Sequence, residues 1–339
     1  MGSFWFAGNG GQERNACLEV GMSVMSVWMM PGQGAQKVGM GADLLVLPEV
    51  QETFEMAKAA TGIDLVALSK EGDEAQINDA LNSQVLTSAI SVGLSRALLA
   101  RGFQPEAIVG FSLGEISGLM VSGILSLEEG FALLNERSHA LAAACEKSPG
   151  AMLALLGATH EDAQAVCDAC AEGEVLVSAN YNAPGQVVVS GSVGAIDRAE
   201  AYWKEQSKRC SRLRTAGAFH SPLMEEAAAR VEQFCKTLSF MPATYPLICN
   251  TDAKPFVVDE AVERLSAQVK SSVMFEQSIS ALVSQGASEF IEVGFGGVLT
   301  NLVKRIDRGA TRKKIGTYTE WEKELAELTS QAEQAQTNN

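Results

Sequence analysis

The sequence predicts an α/β fold: a large domain with a mainly parallel sheet, into which a small β-α-β-β-α-β unit is inserted. Three observations carry that reading. Short apolar runs such as "MSVWMM" and "EAIVG" stop at Gly-rich loops, and long segments with apolar residues at helical spacing separate them. The middle of the chain then changes rhythm, placing two strands in direct succession.

In chain order, "MSVWMM" (25–30) reads as a buried strand delivering the loop "PGQGAQ" (31–36). "LLVLPEVQETFEMAKAATG" (44–62) and "SQVLTSAISVGLSRALLARG" (83–102) repeat apolar residues at helical spacing and close on glycine. "EAIVG" (106–110) is a strand, and "LGEISGLMVSG" (113–123) and "LEEGFALLNERSHALAAACE" (127–146) are helices. The inserted unit follows: strand 150–157, helix 161–171, strands 175–182 and 185–192, helix 193–206 and strand 210–215, the order of a ferredoxin-like unit. The chain re-enters the large domain at "AFHSPLM" (218–224), continues through a helix, "YPLICN" (245–250), more helix and "EFIEVG" (289–294), and ends the fold with "GGVLTNLVKRI" (296–306). The expected domains are thus 23–149 with 217–318, and 150–216, flanked by a poorly ordered extension (1–22) and a polar tail (319–339), helical at best.

Composition narrows the function. The 339 residues are 47% hydrophobic and 20% charged, a globular mixture. With 26 Lys and Arg against 41 Asp and Glu, the net charge of −15 argues against sequence-independent binding to nucleic acid or to an anionic membrane. Two local basic clusters, Lys208–Arg214 and Lys304–Lys314, are solvated faces on the plain reading and docking sites for an anionic partner on the sharper one. Seven cysteines lack regular spacing; Cys167 and Cys170 form the one close pair, with no second pair to complete a metal site, so free thiols in a reducing cytosol are expected. The N-terminus lacks the basic and apolar regions of a signal peptide, Phe6 breaks the myristoylation pattern, and no apolar run reaches membrane length. A cytoplasmic protein is the expectation.

The chemistry concentrates in "GFSLGE" (110–115). A serine between two glycines, after a strand and before a helix, is the context of a nucleophile elbow, and it makes the large domain α/β-hydrolase-like. The sharp turn lifts the Ser112 hydroxyl clear of the chain, and the helix N-terminus offers N–H groups to a developing oxyanion. Such a serine needs a base, and the chain has three histidines. His139 lies within a helix and His160 at a helix start, whereas His220 in "GAFHSPLM" stands at the domain junction, where clefts form. Elimination selects His220. Taken alone, Arg137 reads as a surface ion-pair partner of Glu136 or Glu129.

From about Ser26 to Ile306 the chain resembles the malonyl-CoA:acyl carrier protein transacylases of fatty-acid synthesis and the homologous acyltransferase domains of polyketide synthases. The carriers are "MPGQGAQ" (30–36), "GFSLGEISGL" (110–119), Arg137 in "LLNERSHAL", "NYNAPGQVVVSG" (180–191), "GAFHSPLM" (217–224) and "EVGFGGVLTNLVKRI" (292–306). The resemblance implies that Ser112 takes the malonyl group from malonyl-CoA, with His220 as general base and then acid. It implies an oxyanion hole from the N–H groups of Gln33 and Leu113, Arg137 binding the malonyl carboxylate, the Gln268 carbonyl orienting His220, and Asn182 and Phe219 lining the cleft. Holo acyl carrier protein is the implied acceptor; no cofactor, no metal and a monomer are expected. The chain departs from the family's pattern at Phe111, often His, at "EVGFG" for "EVGPG", and at Met274, often Arg. Two rival readings stay open: an esterase with an acid such as Asp197 as third member, and a catalytically silent scaffold that grips a carrier protein. The pathway, fatty-acid or polyketide, stays open too.

Overall fold

The protein is described by a computed structural model covering residues 25–337; the predicted extension 1–22 lies outside the described residues. The large sheet has the order β7-β2-β1-β8-β9, and every pairing in it is parallel: β1 (Met25–Met30), β2 (Ala107–Gly110), β7 (Leu247–Ile248), β8 (Ala287–Val293) and β9 (Thr311–Ile315). The second sheet is antiparallel, in the order β4-β5-β3-β6: β3 (Gly150–Leu156), β4 (Leu176–Ala183), β5 (Gln186–Ser192) and β6 (Cys210–Arg212).

Helices cover both faces of the large sheet because its central strands alternate. Trp28, Met30 and Ile108 point into a core shared with α1 (Pro48–Thr61), α2 (Leu65–Glu71), α3 (Glu74–Asn78), α4 (Ala80–Ala100), α5 (Leu113–Val121) and α6 (Leu127–Lys147). Val27, Met29, Ala107 and Val109 point the other way. There they meet Phe275, Ile279 and Leu282 of α11 (Phe275–Ser284) and Leu299, Leu302 and Val303 of α12 (Val298–Ile306).

The small sheet carries α7 (His160–Cys170) and α8 (Val193–Glu205) on one face, over a core of Leu153, Leu155, Val166, Val187, Val189 and Trp203. Met152, Ala154, Ala179 and Val188 on its other face pack with Leu213 and Phe219. A parallel bridge from Asn180 to Val273 ties its edge to the large unit. After β6 the chain forms α9 (Glu225–Cys235), returns to the large sheet at β7, and continues into α10 (Ala261–Lys270).

Three segments differ from the sequence reading. The short helices α2 and α3 were not expected. "TRKKI" reads as charge, yet it forms the edge strand β9, with Lys313 held between Glu289 at 3.3 Å and Glu324 at 3.1 Å. The expected polar tail is helix α13 (Tyr318–Thr337), whose Trp321 is buried against the Arg101 guanidinium, 4.7 Å from the ring centre. A cation over an indole is a contact that hydrophobic periodicity does not register.

Candidate active site

The carboxyl ends of β1, β2, β7 and β8 lie side by side, so their following loops share one edge of the sheet. After β2 the backbone turns sharply at Ser112, with φ at 51°, inside the left-handed region that a serine seldom occupies. Its flanking glycines are steric requirements. A Cβ at Gly110 would sit 2.1 Å from the Glu115 nitrogen, and one at Gly114 would sit 2.0 Å from the Met30 carbonyl oxygen. The loop after β1 crosses close by, where a Cβ on Gly32 would come within 2.8 Å of the Phe111 carbonyl oxygen. This brings Gln33 to the elbow; its side-chain Nε2 donates to Ser83 Oγ at 2.7 Å. Neither the Gln33 nor the Leu113 N–H has a partner among the described residues.

Ser112 Oγ lies 2.7 Å from His220 Nε2. The other ring nitrogen, Nδ1, faces the carbonyl oxygens of Gln268 at 3.0 Å and Ser271 at 3.1 Å. Carbonyls only accept, so Nδ1 carries the proton and Nε2 is left as the base toward the serine hydroxyl. Burial, reinforced by the Arg137 charge and opposed by the two carbonyls, lowers the histidine to about 4, so the ring is neutral and able to accept a proton across the physiological range. His220, like Ser112, holds a left-handed backbone, with φ at 57°. Strain at both members of one contact marks a functional site.

Arg137 is 5% exposed and is not a surface ion pair. Glu136 bonds Arg230, and Glu129 bonds Ser126 and the Ser239 N–H. The guanidinium instead donates to the amide oxygens of Gln84 and Gln268, both at 3.3 Å, while Nε has no partner among the described residues. Burial pulls its pKa down to about 10 against the opposing field of Glu115. A buried guanidinium with long, neutral partners and an unused donor has the hydrogen-bonding capacity to receive a carboxylate.

Asn182 is buried on β4 with no partner for Oδ1 among the described residues, and Phe219 packs between the small sheet and the large core. Phe111 packs edge-on against Phe275, 5.4 Å between ring centres, and so fills space beside the nucleophile. The Met274 N–H donates to the Asn250 carbonyl at 2.7 Å, and the residue stands at the N-cap of α11. His139 is exposed, and His160 contacts Glu276 at 3.2 Å, so neither joins the site. Asp197, the acid an esterase would need, is exposed and pairs with Arg212. Among the described residues no cluster of His, Cys, Asp or Glu could hold a metal ion. The sequence reading missed Asn250 and Glu115, both buried against the elbow. Asn250 follows a two-residue strand and carries no spacing signal, while the glutamate reads as an ordinary first-turn acid.

A serine beside a neutral histidine, two unpartnered N–H groups and a buried cation suit transfer of an acyl group that bears a free carboxylate. The comparisons agree. The family profile described as "Acyl transferase domain" matches residues 27–338. The malonyl CoA-acyl carrier protein transacylase of Escherichia coli K12 is 35% identical over 283 residues, covering 82% of this chain and 92% of that protein. Its counterpart in Synechocystis is 35% identical over 292 residues, covering 86% and 97%. A crystal structure of malonyl-CoA:acyl carrier protein transacylase from Xanthomonas oryzae superposes with a TM-score of 0.86 at 34% identity, covering 90% of this chain and 98% of that one. A malonyl-transacylase in complex with a type II polyketide synthase acyl-carrier protein superposes with a TM-score of 0.84 at 29% identity, covering 88% and 98%.

Proposed function

From the premise that the chain belongs to the acyl transferase domain family, we propose that it is an acyl-carrier-protein S-malonyltransferase working by two successive displacements at Ser112. It moves the malonyl group of malonyl-CoA to the phosphopantetheine thiol of acyl carrier protein. The observation that carries the reading is the 2.7 Å contact from Ser112 Oγ to a neutral, carbonyl-oriented His220 beside the buried Arg137.

In the first displacement, Oγ attacks the thioester carbonyl carbon as Nε2 takes the hydroxyl proton. The Gln33 and Leu113 N–H groups receive the oxyanion, and the bond to sulfur breaks as Nε2 returns the proton to coenzyme A. In the second, Nε2 deprotonates the pantetheine thiol, its sulfur attacks the malonyl-serine, and the proton passes back to Oγ. Arg137 pairs with the free carboxylate throughout, Gln268 holds both Arg137 and His220, and Asn182 and Phe219 line the cleft. These residues need no metal or organic cofactor.

The strand order β4-β5-β3-β6, with α7 and α8 on one face, supports reading residues 150–216 as a ferredoxin-like domain inserted between 23–149 and 217–318. Of the two basic clusters, Lys208–Arg214 has two of its four cations paired: Lys208 meets Asp162, and Arg212 meets Asp197 and Glu200. The other keeps a groove of about 540 Å³ lined by Asn301, Lys304, Arg305, Arg308 and Arg312. We assign carrier-protein docking to that groove, with the chain acting as a monomer in fatty-acid synthesis. The polyketide carrier in one structural neighbour supports a second reading, service to a polyketide assembly line.

The test is to incubate the protein with malonyl-CoA and examine the Ser112 peptide by mass spectrometry, then add holo carrier protein. A malonyl adduct that is lost to the carrier thiol, and is absent from Ser112→Ala, supports the reading. Release of the acyl group to water alone points to an esterase, and no adduct at all points to a silent scaffold.

A further inference from the structure

Asn250, which follows β7, spans the elbow. Its Oδ1 accepts the Ser112 N–H at 2.7 Å, and its Nδ2 donates to the Gly110 carbonyl at 2.7 Å. Its own main chain is tied down at both ends: the N–H donates to Glu115 Oε1 at 3.0 Å, and the carbonyl accepts from the Met274 N–H at 2.7 Å. Asn250 is 3% exposed and Glu115 is 1% exposed, so water does not compete for these bonds. On the far side of the nucleophile, the Ser112 carbonyl accepts from Gln268 Nε2 at 2.7 Å. The two peptide groups flanking Ser112 are therefore held by side chains from the loop after β7 and from α10.

A carboxamide suits this position because one end must accept and the other must donate. A carboxylate would keep the bond to the Ser112 N–H but would set its second oxygen against the Gly110 carbonyl. With the Ser112 N–H committed to Asn250, the Leu113 N–H is the elbow's unpartnered donor.

We propose that Asn250, oriented by the buried Glu115 carboxyl, is a positioning residue that holds the left-handed turn at Ser112 so that Oγ meets His220 and the Leu113 N–H meets the oxyanion. The inference rests on the reading of Ser112 as the acyl-bearing nucleophile. Burial raises the Glu115 carboxyl to about 7 against the Asn250 N–H that it accepts, as befits a group enclosed with the turn it braces.

The test is single-turnover acylation by malonyl-CoA, followed on the Ser112 peptide by mass spectrometry and read as a rate constant and a plateau. Asn250→Asp is expected to slow the rate constant by about 10²-fold, the scale on which sub-ångström misplacement of a reacting group acts, with the plateau and the KM for malonyl-CoA retained. Glu115→Ala should slow it by roughly tenfold through loss of one hydrogen bond, and Glu115→Gln, which keeps an oxygen acceptor, should restore it. A lowered plateau with an unchanged rate constant would show a purely structural role and overturn the proposal. Equal rate constants for Glu115→Ala and Glu115→Gln overturn it as well, and this pair decides the matter if Asn250→Asp does not fold. Absence of acylation in the wild type would sink the reading of Ser112 itself; acylation at the wild-type rate in every variant would sink only the positioning role.

Discussion

Arg137 and His220 show how burial turns common side chains into chemical groups. In the proposed assignment a malonyl carboxylate would complete the hydrogen bonding of Arg137, whereas an acetyl group would leave it buried without an anion, and a charge-assisted pair of this kind is worth about 3 kcal/mol. Arg137→Ala should therefore lower malonyl transfer by about 10²-fold and bring the malonyl to acetyl ratio toward unity, measured as kcat/KM for the two thioesters. For His220 the sign follows from the direction of its shift. The unfolded chain protonates this ring near 6.5 and the folded one only near 4, so the folded state loses stability as pH falls from 6.5 to 4, by an amount on the order of 3 kcal/mol. Urea titrations of wild type and His220→Gln should converge across that window; parallel curves would show that the ring is not held neutral. The rate of Ser112 acylation should likewise stay level at neutral pH and fall as pH drops through about 4, when Nε2 can no longer accept a proton.

Two junctions between strand and helix carry the site, and both depend on close backbone approach. Gly114, in the first turn of α5, lies directly over the Met30 carbonyl, so Gly114→Ala forces apart the loops after β1 and β2. Its cost of about 1–3 kcal/mol in stability should be accompanied by a drop in acylation rate of at least about 10²-fold, since the same movement separates Gln33 from the elbow. At the end of β8, the buried Glu292 carboxylate accepts the N–H groups of Gly297 and Thr300, both at 2.9 Å, and so caps α12. Glu292→Ala should lower stability by about 2 kcal/mol, because it strips two helix-end donors of their acceptor in a buried setting. Thermal denaturation gives both stability numbers.

Across the whole molecule, charge and cleft separate two tasks. The overall charge of −15 repels an acidic carrier protein, yet Lys304 and Arg308 of the basic groove have no carboxylate partner among the described residues. Charge reversal of these two residues should slow malonyl delivery to carrier protein by at least about tenfold relative to acylation by malonyl-CoA, and raised salt should narrow the gap. An unchanged carrier-protein rate would remove the groove from the docking surface. The small sheet's unit meets the segment around α11 through the Asn180–Val273 bridge and the His160–Glu276 contact, while Phe219 packs against the small sheet and the neighbouring His220 contacts Ser112 beyond β2.

Much of this was legible in the chain by itself, because local chemistry determined it. Alternating apolar strands, glycines around a serine and helical periodicity are short-range patterns, and they made Ser112 and His220 readable, whereas Arg137 and Gln268 entered only through the family resemblance. Charge obscured β9 and α13, whose anchoring rests on Lys313 and Trp321 finding partners across the fold. Tertiary structure alone decided that Arg137 is buried rather than paired at the surface, that the Ser271 carbonyl joins that of Gln268 in facing His220, and that Asn250 reaches across 138 residues of sequence to the Ser112 N–H. The physical reason is the same in each case: a buried polar group is defined by the partner that satisfies it, and that partner is supplied by the fold rather than by neighbours in sequence.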